Sequence, residues 1–152
     1  MVSSAYKAIF AWWLDGLLIR LWDRHFAREI RDGLVLLFSD HGAVVVPNGK
    51  REWPYPSIDR WPMVTVVTVE IHFLFSRERD DLSVEIALPV LPHKWESLGQ
   101  ALDWLDLQQD VRPDVSSWGG DLRAADRFLA AHWEDMKAAL RVGWRVTRPR
   151  SR

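Results

Sequence analysis

The sequence predicts a single α+β domain: a long N-terminal helix, an antiparallel sheet of about four strands built from two hairpins, and two C-terminal helices. Three observations support this prediction. The chain has 152 residues, a length typical of one domain, and 48% of them are hydrophobic. Apolar residues follow a helical period near both ends of the chain and alternate in its centre. A run of strands between helices is typical of α+β proteins, in which helices cover one face of an antiparallel sheet.

The first predicted element is a helix from about 4 to 31. Its polar residues recur at steps of three to five, which confines them to one narrow stripe and leaves most of the helix surface apolar. Asp15 and Arg20 interrupt the apolar run, and no basic leader with a cleavage site is present, so we expect a cytoplasmic protein without a membrane span. We expect the sheet or a second subunit to cover the broad apolar face of this helix.

Residues 34–38 and 43–46 predict the first hairpin. Both are short apolar runs, and the residues between them, Ser39 to Gly42, are typical of turns. Gly33 precedes the first run and is expected to end the helix, because glycine is favoured just past a helix end.

Residues 64–76 and 82–88 predict the second hairpin. Apolar residues alternate along both segments, and the charged residues 77–81 separate them. If the two apolar faces coincide, Phe73 pairs with Val84. The same register places His72 opposite Glu85 on the polar face.

Two helices are predicted after the sheet. Apolar residues at steps of three and four predict the first over about 95–109, and Asp121 is the predicted N-cap of a longer helix with a regular apolar stripe. The last twelve residues, 141–152, contain five arginines and no acid, and we interpret them as a flexible basic tail. The domain itself, residues 1–140, then has 15 basic and 21 acidic residues and a net charge of −6.

The sequence excludes several classes of site. The chain contains no cysteine, which excludes disulfides, thiolate metal sites and cysteine nucleophiles. It also lacks a Gly-x-Ser-x-Gly elbow, a glycine-rich phosphate loop and a His-Glu-x-x-His pair. We therefore expect no catalytic residues, no metal and no cofactor.

The best candidate for a binding surface is the segment 47–62, in which aromatic residues alternate with prolines. The segment contains four of the prolines of the chain, and the chain as a whole contains ten tryptophans, an unusually large number. Aromatic residues between prolines have limited freedom, so they lose little conformational entropy on docking. The candidate protein-binding residues are Glu52, Trp53, Tyr55, Asp59 and Trp61. With the acidic charge of the domain, they favour a protein partner that has a basic surface. The alternative is that Trp53 and Trp61 cover an open end of the core.

A weaker candidate site lies on the polar face of the second hairpin. Glu70, His72 and Glu85 could converge there for acid–base chemistry or weak metal binding. The simpler interpretation is a solvated cross-strand pair, since such residues are ordinary on an exposed sheet face.

In size, element order and lack of catalytic motifs, the chain resembles the small α+β proteins that bacteria use to neutralise toxins, a likeness that rests on no specific motif. It implies a non-enzymatic inhibitor or immunity-type protein that covers a basic site of its partner, and a second copy of the chain is a further candidate partner. One alternative is a small-ligand protein or enzyme with a pocket between the sheet and the N-terminal helix. Another is a nucleic-acid-associated protein that uses the arginine-rich tail, although we expect neither nucleic acid nor a membrane to be the main partner.

Overall fold

The structure is a computed structural model that describes residues 4–46, 62–92, 94–103 and 121–147, with side chains at all of these positions except 4–12, 15, 16, 19, 102 and 144–147. In chain order, its elements are α1 (Ser4–Gly33), α2 (Val35–Asp40), β1 (Val44–Val46), β2 (Met63–Val67), β3 (His72–Glu78), β4 (Asp81–Ala87), β5 (Glu96–Ser97), α3 (Leu98–Asp103), α4 (Leu122–Ala131) and α5 (Trp133–Thr147).

The five strands form one antiparallel sheet in the order β1-β2-β3-β4-β5, so each strand lies beside its neighbours along the chain. One face of the sheet carries the buried side chains of β2, β3 and β4, and these form one hydrophobic core with side chains from the helices. The helices contribute, among others, Phe26, Ile30, Leu37, Leu129 and Met136. The predicted α+β class is confirmed, with five strands in place of about four.

Helix α2 replaces the first strand of the predicted first hairpin. The prediction of a strand over residues 34–38 is wrong, because Val35–Asp40 is helical, whereas the second strand of that hairpin forms as β1. The residue before α2 offers no side-chain cap to the helix. Instead, the carboxylate of Asp126 in α4 accepts hydrogen bonds from the backbone N–H groups of Leu36, at 3.0 Å, and Leu37, at 3.2 Å. A carboxylate from a distant part of the chain therefore satisfies N–H groups that a helix leaves unpaired at its start.

A tight turn over residues 68–71 divides the segment 64–76, predicted as one strand, into β2 and β3. Thr68 closes this turn: its hydroxyl oxygen accepts a hydrogen bond from the N–H of Ile71, at 3.0 Å, and donates one to the carbonyl of Ile71, at 2.8 Å. Because of the turn, the buried positions change from even numbers in β2 to odd numbers in β3. Val64 and Val66 of β2 and Phe73 and Phe75 of β3 are the side chains that enter the core. Val69, which alternation alone assigns to the core, lies in the turn and is 91% exposed.

Strands β3 and β4 pair through the predicted apolar faces, but two residues out of the predicted register. Phe73 pairs with Ile86, where the prediction placed Val84. The predicted pair of His72 and Glu85 is wrong for the same reason. A shift of two residues leaves each side chain on its predicted face, so the core residues of both strands are still the predicted ones.

The β3–β4 turn explains the shifted register. The charged residues 77–81 were expected to form the whole tip, but the ladder of the two strands continues to the pair of Glu78 and Asp81. Only Arg79 and Asp80 connect the strands, and Arg79 has a positive φ of 55°. Positive φ is typical of two-residue hairpin loops. Charged side chains are compatible with the exposed end of a ladder, and so polarity alone overstates the length of the loop.

Helix α1 extends over Ser4–Gly33 and confirms the predicted helix. The C-terminal half of the helix is fastened to the sheet. The Asp23 carboxylate accepts a hydrogen bond from the backbone N–H of Met63 at 3.0 Å, and Glu29 forms an ion pair with Arg77 of β3. Gly33, predicted to end the helix, also permits close packing, because a Cβ at this position would lie 2.6 Å from the Cβ of Leu122 in α4.

The helix predicted over 95–109 begins later than expected. Residues 96 and 97 form the short strand β5 beside β4, and α3 begins at Leu98. Residues 104–120 lie outside the described part of the chain.

Asp121 caps α4 as predicted, since its carboxylate accepts hydrogen bonds from the N–H groups of Arg123, at 3.0 Å, and Ala124, at 3.2 Å. The predicted long helix is divided at His132 into α4 and α5. Residues 141–147 of the predicted basic tail are helical, because α5 extends to Thr147. Residues 148–152 lie outside the described residues.

Candidate functional site

The predicted protein-binding residues Glu52, Trp53, Tyr55, Asp59 and Trp61 lie outside the described residues. Their part in binding stays a prediction from the sequence.

The three polar candidates of the second hairpin do not share one face of the sheet. His72 pairs with Ala87, and Glu85 pairs with Leu74, so the histidine and this glutamate lie on the same face as diagonal neighbours. Partial burial lowers the pKa of His72, which favours the neutral ring. Glu70 lies in the turn between β2 and β3, and its side chain contacts α5 instead.

The carboxylate of Glu70 joins the β2–β3 turn to α5. One oxygen, Oε2, accepts a hydrogen bond from the indole Nε1–H of Trp133 at 2.7 Å, and the other, Oε1, accepts one from the ammonium group of Lys137 at 2.8 Å. The ammonium group also forms an ion pair with Glu134, at 2.8 Å. The hydrogen bonds from Lys137 and Trp133 lower the pKa of Glu70, and those to Glu134 and Glu70 raise the pKa of Lys137.

Trp133 stands at the centre of this cluster. Its side chain is buried, its ring stacks on that of His41 with the ring centroids 3.6 Å apart, and it lies 5.8 Å from the ring of Phe73 in the core. Burying an indole leaves its N–H in need of an acceptor, and Glu70 supplies one. The cluster therefore ties three parts of the chain together: the residue after α2, the β2–β3 turn and the start of α5.

These contacts favour a structural role for Glu70. A general base needs a raised pKa and a free oxygen, whereas both oxygens of this carboxylate accept hydrogen bonds and its pKa is lowered. The sequence offers one signal for the cluster, since a tryptophan on the apolar stripe of α5 requires a hydrogen-bond acceptor, but it does not say which acceptor.

We expect Glu70→Gln to destabilise the protein in a pH-dependent way. Because the pKa of Glu70 is lowered in the folded state, the ionised carboxylate stabilises the fold above the ordinary glutamate pKa, and this contribution is lost as the pH falls through the lowered pKa. Thermal unfolding of both proteins from pH 7 downwards should show a difference in Tm that narrows as the pH falls below the ordinary glutamate pKa. Glu78→Gln, at an exposed position of β3, is the control. A difference in Tm that stays constant across this range would contradict the assignment.

A row of exposed apolar side chains lies along the middle of α1, and we call it the α1 apolar face. Its members, each between 40% and 58% exposed, are Trp13, Leu14, Leu17, Leu18, Leu21 and Trp22. They are six of the ten large hydrophobic side chains that are exposed among the described residues, and the other four, all valines, lie in other elements or turns. Such a concentration is typical of interaction surfaces, whereas single exposed apolar residues are ordinary.

The α1 apolar face lies on the side of the helix that points away from the core. At about 100° per residue, Leu14 and Leu21 mark the centre of the face, and the core residues Phe26 and Ile30 fall on the opposite side. The expectation that the sheet covers the broad apolar surface of this helix is therefore wrong for this side. The expectation that a second subunit covers it stays a prediction.

Within the described ranges, no group of three or more His, Asp or Glu side chains is arranged to hold a metal ion. None of the helices described here combines the length and apolar content of a membrane-spanning segment. Comparison of the chain with protein-family models, with curated proteins and with solved structures gave no match.

Proposed function

We propose that this protein is a non-enzymatic protein-binding module and that the α1 apolar face is one of its docking surfaces. The observation that carries the proposal is the concentration of two tryptophans and four leucines, all at least 40% exposed, on one side of a single helix. Removing such a row from water is favourable, and tryptophan is enriched among the residues that dominate binding energies.

The segment 47–62 is the second surface of this proposal. Trp53 and Trp61 stand beside the acidic residues Glu52 and Asp59, and residues 1–140 have a net charge of −6. Complementary charge speeds association and selects partners, so the segment suits a protein that has a basic surface. An inhibitor or immunity-type protein that covers a basic site fits this chemistry.

The cluster around Glu70 supports binding over catalysis. Both carboxylate oxygens of Glu70 are engaged by Trp133 and Lys137, and His72 and Glu85 lie elsewhere on the sheet.

Photo-crosslinking tests the α1 apolar face directly. We replace Leu21, which is 48% exposed, with a benzophenone amino acid and irradiate the protein alone and in lysate of its own cells. We expect adducts of discrete mass with a polypeptide, because a docking surface holds its partner within reach of the probe.

The matched control carries the same probe at Val90, an exposed apolar residue in the turn after β4. Adducts from position 21 should exceed those from position 90 several-fold. Equal, diffuse labelling from both positions would contradict a docking surface on α1.

A further inference from the structure

The residues of the α1 apolar face read the same in both directions along the chain. About a midpoint between residues 17 and 18, identical residues correspond: Trp13 with Trp22, Leu14 with Leu21, and Leu17 with Leu18. These six are the exposed residues that define the face. A face that is unchanged on reversal presents the same leucines and tryptophans to a second copy in either direction, and an isologous dimer can use it because apolar side chains pack against one another.

We infer that the α1 apolar face binds a second copy of this chain, with the two α1 helices antiparallel and their two-fold axis beside Leu17 and Leu18. The inference rests on the proposed function, because it names the partner of the same surface. In this arrangement Leu14 of each copy meets Leu21 of the other, so that one such pair lies on each side of the axis. Leu17 meets Leu17, and Leu18 meets Leu18, across the axis.

The exposed area is sufficient for such a dimer. At their observed exposures, the six side chains present on the order of 500 Å² per copy, since a tryptophan offers up to about 250 Å² when fully exposed. A pair can therefore bury at most roughly 1,000 Å², which is about the minimum for a biological interface and lies in the range of weak complexes. We expect a dimer that dissociates on dilution.

The charges on α1 select the antiparallel orientation. Arg24 and Arg28 are exposed and, at about 100° per residue, continue the line of the α1 apolar face towards the C-terminal end of the helix. In a parallel pair each of these arginines would face its own counterpart. In the antiparallel pair Arg24 comes level with Ala11, and the arginines of the two copies lie far apart.

The edges of the antiparallel contact are also complementary. Arg20, which is exposed, comes close in level to Trp13 of the second copy on the same edge, where a guanidinium can stack on an indole. This complementarity ends towards the helix ends, where Lys7 comes level with the like-charged Arg28 of the second copy. Crossing helices separate there, so the contact comprises residues 13–22.

A lipid surface is a poorer occupant of this face. Helices that lie in a membrane interface carry an excess of Lys and Arg on the polar side, whereas α1 combines Asp15, Asp23 and Glu29 with its basic residues. A second copy requires no such excess of Lys and Arg, because its own α1 apolar face covers that of the first copy.

Engineered disulfides test both the partner and the orientation, and the chain contains no cysteine that would interfere. We expect Leu17→Cys to form a covalent dimer on mild oxidation, because at an interaxial distance of about 8–10 Å the two Cα atoms near the axis lie within disulfide range. Leu14→Cys and Leu21→Cys should each form little covalent dimer when oxidised alone, because each cysteine lies far from its counterpart. A mixture of these two variants should form the covalent heterodimer.

Sedimentation of the unmodified chain over a wide concentration range provides the second measurement. We expect a reversible dimer, and Leu17→Glu should weaken it by at least about tenfold, since it places two like charges at the axis. Val90→Glu, an equal change at an exposed site outside α1, should leave the dimer unaltered, with circular dichroism confirming that both variants are folded.

Three results would overturn the inference. One is a protein that stays monomeric at millimolar concentration and shows no crosslinking of Leu17→Cys above that of Val90→Cys. Another is efficient crosslinking of Leu14→Cys alone with no covalent heterodimer in its mixture with Leu21→Cys, which indicates a parallel pair. The third is a photo-adduct from position 21 with a different polypeptide while the purified chain is monomeric, which rejects the second copy and leaves the proposed function standing.

Discussion

Replacing Asp126 with alanine is expected to cost about 2–4 kcal/mol of unfolding free energy. The Asp126 side chain is 6% exposed and accepts hydrogen bonds from the backbone N–H groups of Leu36 and Leu37 at the start of α2. Without the carboxylate, two N–H groups lose their partner in a water-poor site, and each such loss costs roughly 1–3 kcal/mol. We expect α2, which supplies Leu37 to the core, to loosen first.

Urea unfolding measures this loss, and Asp121→Ala is the matched control. Asp121 also caps a helix through two backbone N–H groups, but it is exposed and lies directly before its own helix, so its loss should cost only about 1 kcal/mol. Asp126→Asn keeps the side-chain volume and one acceptor oxygen. Its loss of unfolding free energy should therefore lie between those of Asp126→Ala and Asp121→Ala. A loss for Asp126→Ala no larger than that for Asp121→Ala would contradict the role of Asp126 as a distant cap.

Phe73→Asp should prevent folding or cost most of the stability of the domain. The ring of Phe73 is fully buried in the central strand β3, between Val66 of β2 and Ile86 of β4, and it lies near the ring of Trp133. A carboxylate at this position is buried without a partner, a cost comparable with the total stability of about 5–15 kcal/mol that is typical of a domain. Phe73→Ala, which leaves a cavity but no charge, keeps the effect measurable and should cost about 3–5 kcal/mol.

His72→Ala is the control for Phe73 on the other face of the same strand. His72 is half-buried on the face that points away from the core, and its truncation should change the unfolding free energy by no more than about 0.5 kcal/mol. The comparison uses urea melts of the two alanine variants. Comparable losses for Phe73→Ala and His72→Ala would mean that the assignment of the two faces is wrong.

The elements with a long, regular period could be predicted from the sequence. Helix α1 and the apolar stripe of α4 and α5 repeat every three to four residues over many turns, and β3 and β4 alternate over seven residues each. A pattern of this length fits only one type of element, and in β3, β4, α4 and α5 it also identifies the buried face. The cap at Asp121 was predictable because a cap and its helix are neighbours in the sequence.

The candidate sites were less accessible to sequence analysis. Alternation placed Glu70 on a sheet face with His72 and Glu85, whereas the turn closed by Thr68 directs it towards Trp133, which is 63 residues away along the chain. The apolar character of α1 was evident, but its two apolar sides could be distinguished only once the sheet occupied one of them. The predicted surface from Glu52 to Trp61 lies outside the described residues and stays a prediction.

The sequence by itself determined the α+β class, the helix over Ser4–Gly33 and the faces of β3 and β4, because each follows from a period that local geometry imposes. Only the tertiary structure decided the conformation of residues 35–40, because the short apolar run 34–38 suits a strand or a buried helix equally. Asp126, about 90 residues further along the chain, provides the hydrogen bonds that favour the helix. Tertiary structure likewise set the register of β3 and β4, since a shift of two residues keeps every side chain on its face and leaves turn geometry to choose between the alternatives.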